Sequence, residues 1–444
     1  MHGIDLTSGL ILLLAILGFC AIVVPKPEIG VVILAFTLPI SAVPIIGDAG
    51  IFKITGLAAF AAWGLNVAVG RRRVQLAGPA TVAFGIFLLS SLISAVAAGT
   101  PAGWLVFQRQ LLGIGLYWMV ANLVTSWAEV TRLLRWLIVS GALVIVACLY
   151  LYAAGSTMVS EAALTYAAPR MEGLSVGVNA FAQFAVVLLM IAVSGPFSGG
   201  IAHLGRLTVP AFAAAVVLTG SREAFLALAA ALLLYLMIGK HRVLGILSAL
   251  VFAVIPLLMP TGYFARIATI WEPGEQGWRP QLYAASLRAF THRPVLGFGL
   301  ANGPHAIYPY HNLPMELASH NTILGIMVEQ GLAGAIPFAA ALLLVFGAWR
   351  RNLRERRALA GNDRRSAEAV LLGALAFAVC AFFVDLQLDP TMYFLMGLLV
   401  AATNFPFPGW DRDAARNLSS KPDLRGPGQP DDGCQHTSQA AGAC

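Results

Sequence analysis

A chain of 444 residues that is 59% hydrophobic and only 11% charged, with a mean hydropathy of +0.79, has too few charges to solvate a soluble protein of its size. Its net charge of +7 is divided among short segments between apolar runs, which excludes a basic nucleic-acid-binding face. The runs are continuously apolar rather than alternating, which excludes a membrane β-barrel and leaves an all-α, multi-spanning protein.

In chain order, apolar runs fall at 8–24, 29–47, 51–69, 79–98, 103–124, 133–153, 178–195, 207–219, 223–239, 243–259, 321–348, 367–386 and 390–405, which predicts 12 or 13 transmembrane helices. The first has no basic n-region before Leu10–Leu17 and no small-residue cleavage pattern after it, so it reads as a span rather than a cleavable signal. Basic residues concentrate at Arg71-Arg72-Arg73, at Lys240-His241-Arg242 and between Arg350 and Arg365, and these belong on the cytoplasmic side. Alternation from those anchors puts segments 154–177 and 260–320 outside. Residues 1–408 then form a transmembrane domain. The Pro-, Gly- and Asp-rich stretch 409–444 is expected to be a disordered cytoplasmic tail.

No CxxC or HExxH pattern is present, and the five cysteines are scattered. His292, His305, His311 and His320 crowd one outer segment, but no pair has the i,i+3 or i,i+4 spacing of helical metal ligands. Neither a metal nor another cofactor is predicted.

Ionisable groups at membrane depth are costly and therefore candidate functional residues. Thr219-Gly220-Ser221-Arg222 separates two short apolar runs, and Gly220 suits a tight turn. Arg222 opens the following helix, where unpaired backbone N–H groups favour an anion. It is compatible with a diphosphate cradle or with pairing to Glu223 or another carboxylate. Arg109 lies inside the fifth run, where an anionic ligand or an ion pair with Asp385 or Asp389 would satisfy it. Those two aspartates are predicted to share one face of a helix end. His320 sits where the outer segment re-enters the membrane, with Ser319 as the expected helix cap. By itself it also reads as a surface histidine. If that helix is regular, Glu329 lies on the opposite face and deeper, and cannot orient His320. Gly331 shares the face of His320 and permits the close approach of another helix or a lipid.

These pieces, in this order, resemble the O-antigen ligase / O-antigen polymerase superfamily. The resemblance rests on Thr219-Gly220-Ser221-Arg222-Glu223, on Arg293-Pro294-Val295-Leu296-Gly297-Phe298-Gly299, and on Ser319-His320-Asn321-Thr322-Ile323-Leu324 followed by Glu329-Gln330-Gly331-Leu332-Ala333-Gly334. Arg170-Met171-Glu172-Gly173 with Asn179 is similar to the family's outer-loop Arg–Gly–Asn pattern, although Gly177-Val178-Asn179 stands where the family has Asn-Pro-Asn. The motifs cover about 165–345.

The resemblance implies a GT-C-like, metal-independent glycosyltransferase of the bacterial inner membrane with its active site on the periplasmic face. It implies an undecaprenyl-diphosphate-linked glycan as donor and lipid A–core or another glycan as acceptor, with membrane lipids around it. Chemistry assigns the roles. Departure of a diphosphate calls for fixed guanidinium groups, for which Arg222, Arg279, Arg170 and Arg109 are candidates. The attacking hydroxyl needs a base, for which His320 is the candidate, with Asn321, Glu329 and Asn179 in support. No carboxylate pair suggests a retaining mechanism, so a single inverting displacement is expected. Within this chemistry the chain is a ligase or a repeat-unit polymerase. A lipid-linked sugar flippase is the alternative from another class, and it would not need His320.

Overall fold

The computed structural model describes residues 18, 21–41, 44–46, 49–72, 74, 78–155, 171–174, 177–195, 200–238, 278–351, 359 and 361–405. The predicted span 243–259, most of 8–24, residues 260–277 of the outer segment and the tail lie outside the described residues.

The described residues form thirteen α-helices and one short two-stranded antiparallel ribbon, β1 (Pro44–Ile46) with β2 (Ala49–Gly50). The helices are α1 (Pro27–Thr37), α2 (Ile51–Ala68), α3 (Pro79–Ala98), α4 (Pro101–Leu123), α5 (Trp127–Ala153), α6 (Val178–Ser194) and α7 (Gly200–Thr219). They continue with α8 (Arg222–Ile238), α9 (Trp278–His292), α10 (Gly303–Ile307), α11 (Thr322–Arg351), α12 (Gly361–Cys380) and α13 (Pro390–Thr403). Four of them, α2, α3, α5 and α11, are long and apolar enough to cross a membrane. Shorter apolar helices accompany them, and the protein is an all-α, multi-pass membrane protein.

Local signals set the helix ends. Pro101 begins α4, and the Thr100 hydroxyl accepts the Gly103 N–H at 3.1 Å. Ser126 caps α5 in the same way, while Glu129 reaches back to the Thr125 N–H at 2.7 Å. Along α3, Val82, Ile86, Leu89, Ile93 and Val96 stay exposed, whereas Phe84, Phe87, Ser91 and Ser94 are buried. Such a stripe of bare aliphatic groups is a lipid-facing surface, because water would not tolerate a patch of this size.

Small residues bring the helices together. A Cβ on Gly113 of α4 would lie 2.4 Å from the Tyr393 ring of α13, and one on Gly397 would meet Val120 at 2.8 Å. Tyr393 is fully buried, and its hydroxyl donates to the Gln387 carbonyl at 2.8 Å. The connection from α12 to α13 is thereby anchored on the α4–α13 contact.

That connection corrects one expectation. The apolar run 367–386 is not one helix. α12 stops at Cys380, and residues 381–389 form an irregular link. Asp385 and Asp389 therefore do not share a helical face: Asp389 caps α13, accepting the Thr391 N–H at 2.7 Å, and Asp385 lies in the link. Hydropathy carried the run across Phe382-Phe383-Val384, which is apolar but not helical.

Candidate active site

Two chain breaks frame the site, one before α11 and one inside it. At the first, His320 adopts a left-handed backbone conformation (φ 51°), an unusual one for a residue with a Cβ. Asp385 holds it there. One carboxylate oxygen accepts the Ser319 hydroxyl at 3.0 Å, and the other accepts the His320 N–H at 3.1 Å. The helix cap is Asn321 rather than Ser319, since the Asn321 side-chain carbonyl accepts the Leu324 N–H at 3.0 Å. Ser319 is drawn away to Asp385. The Asn321 amide donates to the Phe382 carbonyl at 3.0 Å, and Thr322 bridges the Val384 carbonyl and the Leu386 N–H at 2.8 and 2.9 Å. The start of α11 is thus tied to link 381–389 through Asn321 and Thr322.

The second break is at Gly331 (φ 63°, ψ −158°), where α11 leaves helical geometry. An interrupted helix strands carbonyls before the break and N–H groups after it. Segment Pro294–Gly299 supplies both sets of partners. The Phe298 and Gly299 N–H groups donate to the Val328 and Glu329 carbonyls at 2.9 Å each. The Leu332 and Ala333 N–H groups donate to the Pro294 and Val295 carbonyls at 2.8 and 3.1 Å. A Cβ on Gly331 would fall 2.3 Å from the Val295 oxygen, and one on Gly297 (φ 67°) would fall 2.5 Å from the Glu329 carbonyl carbon. Two sequence motifs that looked separate are one joint. The close approach that Gly331 permits is made by this segment's backbone, not by another helix or a lipid.

Glu329 precedes this break and is buried, accepting the backbone N–H groups of Ala301 and Gly303. It lines a pocket of about 190 Å³ together with Ser319, Asp385 and Gln387. It reaches the neighbourhood of His320 through Asp385, which shares that pocket.

On the opposite flank, Gly220 takes φ 57° and turns α7 into α8. The turn carries a polar chain in which Ser221 donates to Glu223 at 2.5 Å and Arg279, on α9, pairs with the same carboxylate. Glu223 therefore fixes the Arg279 guanidinium, a group that grips planar anions. Backbone N–H of Met171 donates to the Leu218 carbonyl at 3.1 Å, which brings the chain next to Arg170 beside this turn. Arg170 itself and the Arg222 side chain lie outside the described residues. Arg109 is exposed on α4 and forms no ion pair with Asp385 or Asp389 among the described residues. Asn179, in the first turn of α6, is partly buried.

The electrostatics join the two flanks. Burial pushes the His320 imidazole below its ordinary range; Asp385 pulls it up, and Arg279 pushes it further down. Burial raises the Asp385 carboxyl, opposed by its hydrogen bonds from Ser319 and the backbone and by His320. Tyr283, four residues after Arg279 on α9, donates to the Phe382 carbonyl at 3.1 Å and ties that helix to the same link. A histidine kept neutral, a carboxylate beside it and a braced guanidinium within its field can take a proton and steady an anion. Sequence reasoning noticed Asp385 only as a possible ion-pair partner for Arg109, and it gave Glu223 no supporting role. Charge within an apolar run was the one local signal for either.

Comparison with curated proteins finds no match. Residues 207–339 match the family model described as O-antigen ligase. The matched stretch holds Arg222, Glu223, Arg279, His320 and Glu329, whereas Asp385 and Gln387 lie beyond it. This O-antigen ligase domain, at residues 207–339, supports membership of the chain in the O-antigen ligase superfamily, whose function is of the ligase or polymerase type.

Proposed function

We propose that the protein is an inverting, metal-independent glycosyltransferase of the bacterial inner membrane, moving a glycan from undecaprenyl diphosphate to lipid A–core on the periplasmic face. His320 takes the proton of the attacking acceptor hydroxyl. That oxygen bonds to the anomeric carbon as the bond from this carbon to the diphosphate oxygen breaks, and undecaprenyl diphosphate leaves with the electron pair. Arg279, braced by Glu223, faces the growing negative charge, with Arg222 and Arg170 as further cationic partners of the diphosphate. Asp385 is a positioning residue that holds the His320 backbone and favours the imidazolium formed in the step. Asn321 supports it by capping α11. Arg109 contributes to binding the lipid-linked donor, and Asn179 supports the site.

The observation that carries this reading is the Asp385 carboxylate, which accepts the Ser319 hydroxyl and the His320 N–H within the field of Arg279. The test is transfer by purified protein supplied with undecaprenyl-diphosphate glycan and lipid A–core in the presence of EDTA. Product should form, and His320→Ala should lower its rate by about 10²–10⁴-fold. Loss of product on adding EDTA would overturn metal independence. Product from the repeat-unit donor alone would make the chain a polymerase. In cells, His320→Ala should leave lipid-linked donor accumulated on the outer face. Donor trapped inside would instead indicate a flippase.

A further inference from the structure

Segment Pro294–Gly299, which closes the break in α11, carries two aliphatic side chains that the joint does not use. Val295 is 64% exposed and Leu296 53%, although their backbones are pinned against residues 331–333. Across the joint, Leu332 and, one turn later, Ile336 are exposed as well. At the same level the Ser94 hydroxyl of α3 donates to the Glu329 carbonyl at 2.9 Å, and its neighbours Ile93 and Val96 belong to the lipid-facing stripe. Val295 and Leu296 therefore continue a surface that lipid already covers, although hydropathy alone leaves them in a loop.

Helix geometry gives the depth. From Gly331 to Arg350, α11 rises about 29 Å at about 1.5 Å per residue, which matches a hydrocarbon core of about 30 Å. With the Arg350 charge at one boundary of that core, Gly331 and the segment bonded to it stand at the other. Trp104 marks the same boundary. It is exposed, as interfacial tryptophans are, and a Cβ on its neighbour Gly103 would lie 3.1 Å from the Leu300 carbonyl, just past the end of the segment. Directly before Val295 the chemistry changes sign. Arg288 and Arg293 are exposed and pair with no carboxylate among the described residues, and the Arg293 guanidinium lies over the Phe298 ring at 4.9 Å. Aliphatic groups at the edge of the hydrocarbon, with guanidinium groups beside them, complement a lipid by its acyl chain and its phosphate.

We infer that Arg288–Leu296 is a membrane anchor for the segment between α9 and α11, in which Val295 and Leu296 sit among acyl chains while Arg288 and Arg293 hold phosphate groups of anionic lipids in the same leaflet. The occupant is bulk lipid rather than a second copy of the chain. The aliphatic pair is continuous with the lipid-facing surfaces of α3 and α11, and phosphate satisfies the cations that flank it. The consequence is positional. The anchored segment is bonded to α11 on both sides of Gly331, and α11 runs from there back towards His320, so lipid contact sets the height of that end of the helix relative to the bilayer. The inference needs only the membrane fold and does not depend on the transferase reading.

The test reads lipid contact, not turnover. The photoreactive residue p-benzoylphenylalanine is placed in turn at Val295, at Leu296 and, as a lipid-facing reference, at Ile336 of the full chain. Each protein is reconstituted in vesicles of equal phosphatidylcholine and phosphatidylglycerol, irradiated, and its adducts are identified by mass spectrometry. Lipid adducts at Val295 and Leu296 should form within about twofold of the yield at Ile336, with phosphatidylglycerol preferred by about threefold or more, as two basic groups at a lipid surface require. Adding Arg288→Gln and Arg293→Gln together should abolish that preference while the adducts persist. Lipid adducts at Ile336 alone, adducts joining two protein chains in place of lipid, no preference for phosphatidylglycerol, or a preference that survives loss of both arginines would overturn the anchor. Where a substituted chain fails to fold, hydroxyl-radical footprinting of the unsubstituted protein in the same vesicles decides. Protection of Val295 and Leu296 equal to that of Ile336 supports the anchor, and oxidation at the rate of a water-exposed aliphatic residue overturns it.

Discussion

The two breaks that bound the first part of α11 are closed in opposite ways. At Gly331 the closure is made largely by main chain, with four hydrogen bonds to Pro294–Gly299 and one further donor, the Ser94 hydroxyl, on the Glu329 carbonyl. At His320 the closure is made largely by side chains: Asp385, Ser319, Asn321 and Thr322. Backbone closure gives a rigid joint that is indifferent to charge. Side-chain closure couples the conformation of His320 to the ionisation of its neighbours. The first joint fixes where the site is, and the second tunes what it does.

The largest effect should come from breaking the backbone joint. Gly331→Ala places a methyl group against the Val295 carbonyl at a positive φ, and we expect a loss of about 3 kcal/mol or more, seen as a lowered thermal transition in detergent. A variant as stable as the parent would mean the joint does not exist in solution.

The side-chain joint should answer in pH rather than in folding. Its imidazole is held below the usual range near 6.5, so the acid limb of the kcat/KM profile should lie below that value. Asp385 favours the imidazolium, so Asp385→Asn should move the limb lower still. Arg279 opposes it, so Arg279→Gln should move the limb upward while also lowering the rate by roughly 10²–10³-fold. Shifts of the same sign in both variants would contradict the arrangement.

The smallest effect should come from a side chain within the backbone joint. Val295 offers its carbonyl to Ala333 while its side chain is 64% exposed. Val295→Ala should change stability by no more than about 0.5 kcal/mol. A large loss there would show that the segment is held by side-chain burial, and the contrast between the two joints would fail.

By itself the sequence determined that the chain is helical and lives in a membrane, because hydropathy is a local sum over about 20 residues and needs no partner. It also marked the turn at Gly220, since a short polar interruption between apolar runs has few other conformations. The resemblance drew attention to Gly297, Gly331 and His320 but could not say that the first two meet. Tertiary structure alone decided the partners. Asp385 lies 65 residues from His320, and Arg279 reaches Glu223 across a chain segment whose folding no local pattern encodes. It also decided where helices stop. Link 381–389 is as apolar at its start as α12, and it leaves helical geometry because its carbonyls at Ala381, Phe382 and Val384 are taken by α9 and α11. Hydrophobicity sets how much chain is buried, but the pairing of each buried polar group depends on which segments packing brings within about 3 Å.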